Sequence, residues 1–368
     1  MLPEVRDELQ IDNTTFGAIL GAWPLVYIFA AIPAGVFLDF VGGRVSLFLA
    51  AVLIGTSAAL RGWATTPEVM FFAVAVFGLG GPLISVGAPK LIAGLFEGKS
   101  RRLAVGIYLT GPNAGAILTL GLTNDWLIPI MGDWRGVMLA HAGFAIAAGL
   151  IWLALASSVS LPRAGQERTP FNMSVMANLM AQREVWIVLA LALGGFFINH
   201  SLNNWLAAIL RDKGMNPSMA GYWASIPTLV GMAAAIVLPR LASTSRRFPL
   251  LIGLCLSTSV ASLFIIHGDG VLLGGGLVVQ GVVRGAMNAI VIVILMELPG
   301  VPSERVGLAG GLYFTAGEIG GVLGPFSMGA LYDLTDGFSA SLYCLALVAL
   351  FLAALAAWLG NLVARVRR

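Results

Sequence analysis

Apolar residues in this chain fall in long unbroken runs, not in stripes or strict alternation. Eleven such runs are centred on residues 14–34, 45–63, 68–94, 104–124, 136–157, 185–210, 219–239, 248–266, 271–296, 307–332 and 338–360. About 20 residues at 1.5 Å per residue cross a hydrocarbon layer about 30 Å thick. The breaks between runs carry Gly, Pro and charged residues, the chemistry of turns. The pattern predicts an all-α polytopic membrane protein with eleven transmembrane helices. A membrane β-barrel would alternate apolar and polar positions, and these runs do not.

Composition sharpens that picture. The chain of 368 residues is 58% hydrophobic and 11% charged, whereas a soluble domain carries about 25% charge. Cys255 and Cys344 both fall inside apolar runs. They read as small interior residues, and no disulfide framework follows. The start MLPEVRDELQ has neither a basic segment nor an apolar core, so it is not a secretory signal. The net charge of +3 comes without a basic stripe, which argues against a nucleic-acid partner.

The distribution of charge orients the runs. Placing the loop with Arg44 in the cytoplasm puts fourteen of the 21 Lys and Arg residues on that side, Lys99, Arg101, Arg183 and Arg305 among them. By the positive-inside rule the C-terminus is then cytoplasmic. Residues 158–184 are the longest polar break, with Pro162 and Pro170, and read as a cytoplasmic linker between two halves, 1–157 and 185–368.

The halves resemble each other. Residues 106–118 read GIYLTGPNAGAIL and residues 311–323 read GLYFTAGEIGGVL, 205 positions apart, with Gly106/Gly311, Tyr108/Tyr313, Thr110/Thr315, Gly115/Gly320 and Leu118/Leu323 identical. Arg6-Asp7 and Arg211-Asp212 keep the same offset. The run 185–210 precedes the second of these dipeptides, and its counterpart would fall before Met1. The expectation is a first half without its first helix, from either a late start codon or a decayed gene. Internal repeats of this kind mark secondary transporters.

After the first run stands GVFLDFVGGR, residues 35–44. It resembles the G-x-L-x-D-x-x-G-R-[KR] signature of the major facilitator superfamily at Gly35, Asp39, Gly42 and Arg44. Leu38 is one position late. GDWRG at 132–136 and the Gly/Pro pattern at Gly320–Pro325 are similar to the same family, whereas RLASTSRR at 240–247 lacks the Asp of the signature. The resemblance implies a bundle of two six-helix repeats working by alternating access, with the four signature residues acting as a conformational gate. Residues 203–221 and 87–96 are similar to its cyanate-permease and nitrate/nitrite-porter branch.

Ionisable and amide groups at membrane depth are costly and become candidates for function. Arg284 lies about thirteen residues, roughly 20 Å, from either end of its run. Gln280, Arg284 and Asn288 are spaced i, i+4, i+8 and share one helix face. An always-charged fork with amide neighbours suits an anion; the structural alternative is an Arg fixed between helices. Glu318 lies level with Arg284 on the next run, as a proton-coupling carboxylate or as half of a permanent Arg284–Glu318 salt bridge. Asn199, His200, Asn203 and Asn204 cluster within about one and a half turns. Asn199, His200 and Asn203 join the solute-binding candidates, with a hydrogen-bonded structural role for His200 as the alternative. Tyr108 and Tyr313, paired by the repeat, either contact solute or pack. Lys90 lies near the cytoplasmic end of its run and either snorkels or faces the pathway.

No G-x-x-x-x-G-K-[ST] loop, nucleophile constellation or metal-ligand spacing is present in the sequence. The expectation is a monomeric secondary active transporter of the inner membrane, not an enzyme, with no cofactor. Its solute is small and anionic, and its coupling ion is the proton. Two alternatives stay open at this point: a drug or metabolite exporter of the same fold, and a non-transporting membrane scaffold or sensor.

Overall fold

The computed structural model describes residues 2–157, 173–241, 246–298 and 306–366, and every regular element among them is helical. In lipid each backbone N–H and C=O must find its partner within the protein, and a helix achieves this inside one segment. The chain divides into two compact units, Met1–Pro170 and Phe171–Arg368. Most of the expected linker, 158–172, and positions 242–245 of RLASTSRR lie outside the described residues.

The first unit contains α1 (Leu2–Leu9), α2 (Asn13–Trp63), α3 (Pro67–Leu95), α4 (Gly98–Leu122), a π-helical turn Thr123–Leu127, α5 (Ile128–Met131) and α6 (Trp134–Ser157). Asp12 caps α2, accepting from the Thr15 amide at 2.7 Å. Thr66 caps α3 ahead of Pro67, which sits where a helix has no amide bond to lose. At 51 residues α2 is too long for one crossing, and it holds two of the predicted runs. It reverses at Gly42, whose φ of 78° lies in the left-handed region that a side chain disfavours. The two arms run antiparallel to each other, the first parallel to α3 and the second antiparallel to it. Gly78 of α3 approaches Trp23 and Val26 of the first arm, Gly80 approaches Ala50 and Ile54 of the second, and Gly87 meets Leu38 and Leu47 beside the turn. Ala34, Ala50 and Leu83, one from each arm and one from α3, form a buried apolar cluster.

The second arm also packs antiparallel on α6. Gly62 faces Arg135, Gly55 faces Ala142 and Ile146, and Gly149 faces Ala51. At one end Arg135 donates to the carbonyls of Gly62 (3.0 Å) and Ala64 (2.7 Å), closing the C-terminus of α2. Glu8 of α1 is fixed there as well, accepting from Trp134 Nε1 at 2.6 Å and from Arg135 at 2.8 Å. The Trp134 and Arg135 hydrogen bonds hold its carboxyl below the ordinary range.

The second unit contains α7 (Met173–Met180), α8 (Arg183–Asp212), α9 (Pro217–Leu241), α10 (Arg247–His267), α11 (Gly270–Met296), α12 (Val306–Thr335) and α13 (Ser339–Val366). The short α7 falls within the stretch expected to be linker. α8 and α12 lie parallel, with Gly317 against Phe196, Gly324 against Phe197 and Ser201, and Trp205 Nε1 donating to the Pro325 carbonyl at 3.1 Å. α9 and α11 are also parallel and meet backbone to backbone. A Cβ on Gly285 would overlap the Gly231 carbonyl. Small residues of this kind let membrane helices pack without side chains between them. α10 runs antiparallel to both α11 and α13, the latter through Ser259 to the Ala346 carbonyl (2.8 Å) and His267 with Tyr343 (2.8 Å).

Nine segments among the described residues are long and apolar enough to cross a membrane. The difference from eleven has two sources. α2 counts once although it contains both 14–34 and 45–63, and the Gly-rich α12, interrupted by Glu318, is not among the nine.

Candidate functional site

In the second unit, three helices bring the polar residues of the apolar runs together. Gly195 of α8 is where that helix meets α11: a Cβ there would stand 2.7 Å from Met287 Cε and 2.8 Å from Asn288 Oδ1. Tyr313 of α12 closes the third side. Its hydroxyl donates to the Asn288 carbonyl at 3.1 Å and its ring packs edge-on against Phe196 at 6.0 Å.

The polar face of α11 is largely unsatisfied, with Gln280 buried and Arg284 and Asn288 half-buried. Gln280 is 0% exposed. Neither end of its amide, nor Arg284 Nε, nor Asn288 Oδ1 meets a hydrogen-bond partner among the described residues. Each such group carries a desolvation cost of about 1–3 kcal/mol when left unmade. Three in a row on one helix face is a preformed set of one cationic and two amide groups.

Glu318 is buried on α12, but Arg284 is not its ion-pair partner. Its Oε2 faces His200 Nε2 of α8 at 3.8 Å. The level placement of Arg284 and Glu318 was read from depth alone. The parallel register of α8 and α12 carries Glu318 toward His200 instead. The Arg284 guanidinium lies within electrostatic range of the same imidazole. His200 stacks on Phe196 with ring centroids 5.8 Å apart. Asn203 Nδ2 donates to Asn199 Oδ1 at 2.6 Å, and Asn204 Nδ2 donates to the His200 carbonyl at 2.8 Å. The four polar residues of α8 thus split into the Asn199–Asn203 amide pair, a histidine turned to α12, and Asn204 bonded back to the His200 carbonyl.

Tyr108 belongs to α4 of the first unit and is half-buried there. The signature residues of that unit cluster about the Gly42 reversal. Asp39 pairs with Lys90 of α3, and Gly35 lies against Val86. The Arg44 guanidinium donates to the Ala156 carbonyl, and the Arg44 carbonyl accepts from Trp152 Nε1 at 3.0 Å. The Lys90 ammonium closes onto the signature carboxylate, and its side chain is half exposed.

Sequence reasoning passed over two further charges. Arg61 donates to Ser57 at 3.0 Å and lies over the Phe77 ring at 5.8 Å. The i, i+4 spacing of Ser57 and Arg61 was the available signal. Arg247, counted only as a loop charge, is 1% exposed and paired with Glu297 at the end of α11. No cluster of three or more His, Cys, Asp or Glu residues able to hold a metal occurs among the described residues.

Long apolar helices around buried polar groups define a multi-pass membrane protein. The chain belongs to the Major Facilitator Superfamily, whose family profile matches residues 1–325. It is 25% identical over 346 residues to the uncharacterized transporter YycB of Bacillus subtilis (strain 168), covering 92% of this chain and 83% of that one. It is 24% identical over 389 residues to the D-galactonate transporter of Escherichia coli O6:H1, covering 94% and 86%. In fold it is similar to a bacterial homolog of the human lysosomal transporter Spinster in its inward-facing, unoccupied conformation. That match has a TM-score of 0.77 at 14% identity over 98% of this chain and 91% of that one.

Proposed function

We propose that the chain is a secondary active transporter that moves a small organic anion by alternating access, coupled to protons, across the bacterial inner membrane. The observation that carries the reading is the α11 face, where Gln280, Arg284 and Asn288 present buried, unsatisfied groups at the middle of an apolar helix. A guanidinium with a free Nε edge is shaped for a carboxylate, and flanking amides are shaped for hydroxyls. The E. coli relative is named for D-galactonate, a hydroxylated carboxylate, which draws the anion class toward hydroxy acids and away from cyanate or nitrate. In this reading Arg284 binds the carboxylate, and Gln280, Asn288, Asn199 and Asn203 orient the rest. Tyr313 positions Asn288 through its backbone, and Tyr108 is kept as a solute-contact candidate of the first unit. Glu318 takes part in proton coupling, and the Asp39–Lys90 corner with Gly35, Gly42 and Arg44 serves as the gate. The eleven predicted crossings arranged as two repeats, the cytoplasmic C-terminus and the monomeric state belong to the same reading.

The test is thermal stabilisation of the purified protein by a panel of D-galactonate, D-glucarate, nitrate, neutral sugars and lipophilic cations, on wild type and Arg284→Gln. A ligand that binds only the folded state raises the melting temperature, by about 2.7 kcal/mol of stability at a hundredfold excess over Kd. Stabilisation by a carboxylate that disappears in Arg284→Gln is expected. Stabilisation by lipophilic cations that persists in the variant, or carboxylate binding indifferent to Arg284, overturns the reading.

A further inference from the structure

The α8–α12 contact contains a second arrangement that anion binding does not use. His200 and Glu318 face each other with side chains 13% and 8% exposed, in a slot cut by Gly321. A Cβ on Gly321 would stand 2.9 Å from Glu318 Oε2 and 3.1 Å from the imidazole. On its other face the imidazole is covered by the Phe196 ring, which turns its Nε2 edge to the carboxylate. The separation of 3.8 Å is too long for a hydrogen bond, and Glu318 Oε2 accepts none among the described residues. A basic nitrogen and a carboxylate oxygen thus stand about one proton-bridged contraction apart, shielded from solvent.

We propose that Glu318 and His200 form one proton-binding site, a single proton being shared between Glu318 Oε2 and His200 Nε2. This deepens, and rests on, the proton-coupled reading above, and moves His200 from the solute-binding set to the coupling pair. With the proton present the pair is either carboxylic acid with neutral imidazole or carboxylate with imidazolium. With the proton released it is carboxylate with neutral imidazole. Two groups interacting this closely titrate as a unit and not as separate residues.

The surroundings give the site its link to the solute. Arg284, from α11, is the fixed charge within electrostatic range of the imidazole. Tyr313, from α12 itself, has its hydroxyl on the Asn288 carbonyl. α13, packed on both α8 and α12, carries Tyr343, Cys344 and Arg365, and Tyr343 is bonded to His267. α9, packed on α8, carries Tyr222 near its start. An anion arriving at Arg284 changes the field at the imidazole. Proton and solute occupancy are coupled through that one guanidinium.

The experiment is infrared pH-difference spectroscopy of the full chain reconstituted in lipid, with no solute added. Wild type should show the band of a buried carboxylic acid that appears as pH falls, and Glu318→Gln should lack it. The midpoint should move by about one pH unit in His200→Gln. It should also move in Gly321→Ala, whose methyl wedges between the carboxylate and the imidazole while both titratable side chains are retained. A band that survives Glu318→Gln, or one whose midpoint is the same in wild type, His200→Gln and Gly321→Ala, overturns the proposal. Because no solute is used, failure of the anion panel leaves this result standing, and failure here leaves a positive anion panel standing.

Discussion

Arg247 and Glu297 make a sharp test of how charge is carried at the helix ends of the second unit. Arg247 is the first residue of α10, where the helix dipole already presents positive charge, and Glu297 caps the C-terminus of α11, where it is negative. Each charge is mismatched to its own helix and matched to its neighbour's, and the direct pair between them completes the crossed arrangement. Arg247 is 1% exposed and its Nε and Nη2 find no partner among the described residues, whereas Glu297 is 46% exposed. Removing one member of a fully buried pair costs about 3–5 kcal/mol, and exposure of the carboxylate lowers this toward the value for surface pairs. Glu297→Gln should therefore cost about 2 kcal/mol, a fall in melting temperature of about 4–8 °C for a unit of this size. The double variant Arg247→Met with Glu297→Leu should recover most of that loss, because an apolar pair leaves no orphaned charge. Thermal unfolding in detergent of wild type, Arg247→Met, Glu297→Leu and the double variant closes the cycle. Additive losses, with a coupling energy below about 0.5 kcal/mol, would refute the crossed-dipole argument.

Two other expectations follow from particular contacts. Gly320→Leu should prevent stable folding, because its Cβ would run into the Leu193 carbonyl, whereas Gly115→Leu, at the repeat-equivalent position, meets no heavy atom within 4 Å and should be tolerated; size-exclusion profiles compare the two. Glu8→Gln should destabilise the first unit at neutral pH and not in acid. The folded carboxyl titrates below its unfolded value, so its contribution is present above the unfolded pKa and is lost as pH falls through the folded one. Melting temperatures of wild type and variant should converge toward low pH, and a constant gap across the titration would contradict the assignment.

The helical runs were legible because a bilayer demands continuous apolar length, and that demand writes itself directly into sequence. The α11 face was legible for a related reason: i, i+4, i+8 spacing fixes a shared face before any neighbour is known, so Gln280, Arg284 and Asn288 could be grouped from sequence alone. Pairings between helices were not legible in that way. Depth suggested Arg284 for Glu318, but partner choice depends on helix rotation and register, which Gly317, Gly320 and Gly324 set by letting α12 approach α8. Lys90 was ambiguous for the same reason, since its distance from the membrane edge says nothing about the Asp39 carboxylate 51 positions earlier. Arg247 was hidden by its place at a helix start, where a sequence reader sees only a loop charge.

The reversal at Gly42 has a mechanical meaning. Its left-handed residue lets α2 fold back with almost no loop, so the corner offers little chain for a protease to enter or an epitope to occupy. The same corner is stitched on both sides, to α3 through Asp39 and Lys90 and to α6 through Arg44, Ala156 and Trp152. Both arms of α2, α3 and α6 are thereby riveted at one end and move as a single lever. A displacement of any one of these helices at that corner is therefore carried directly to the others.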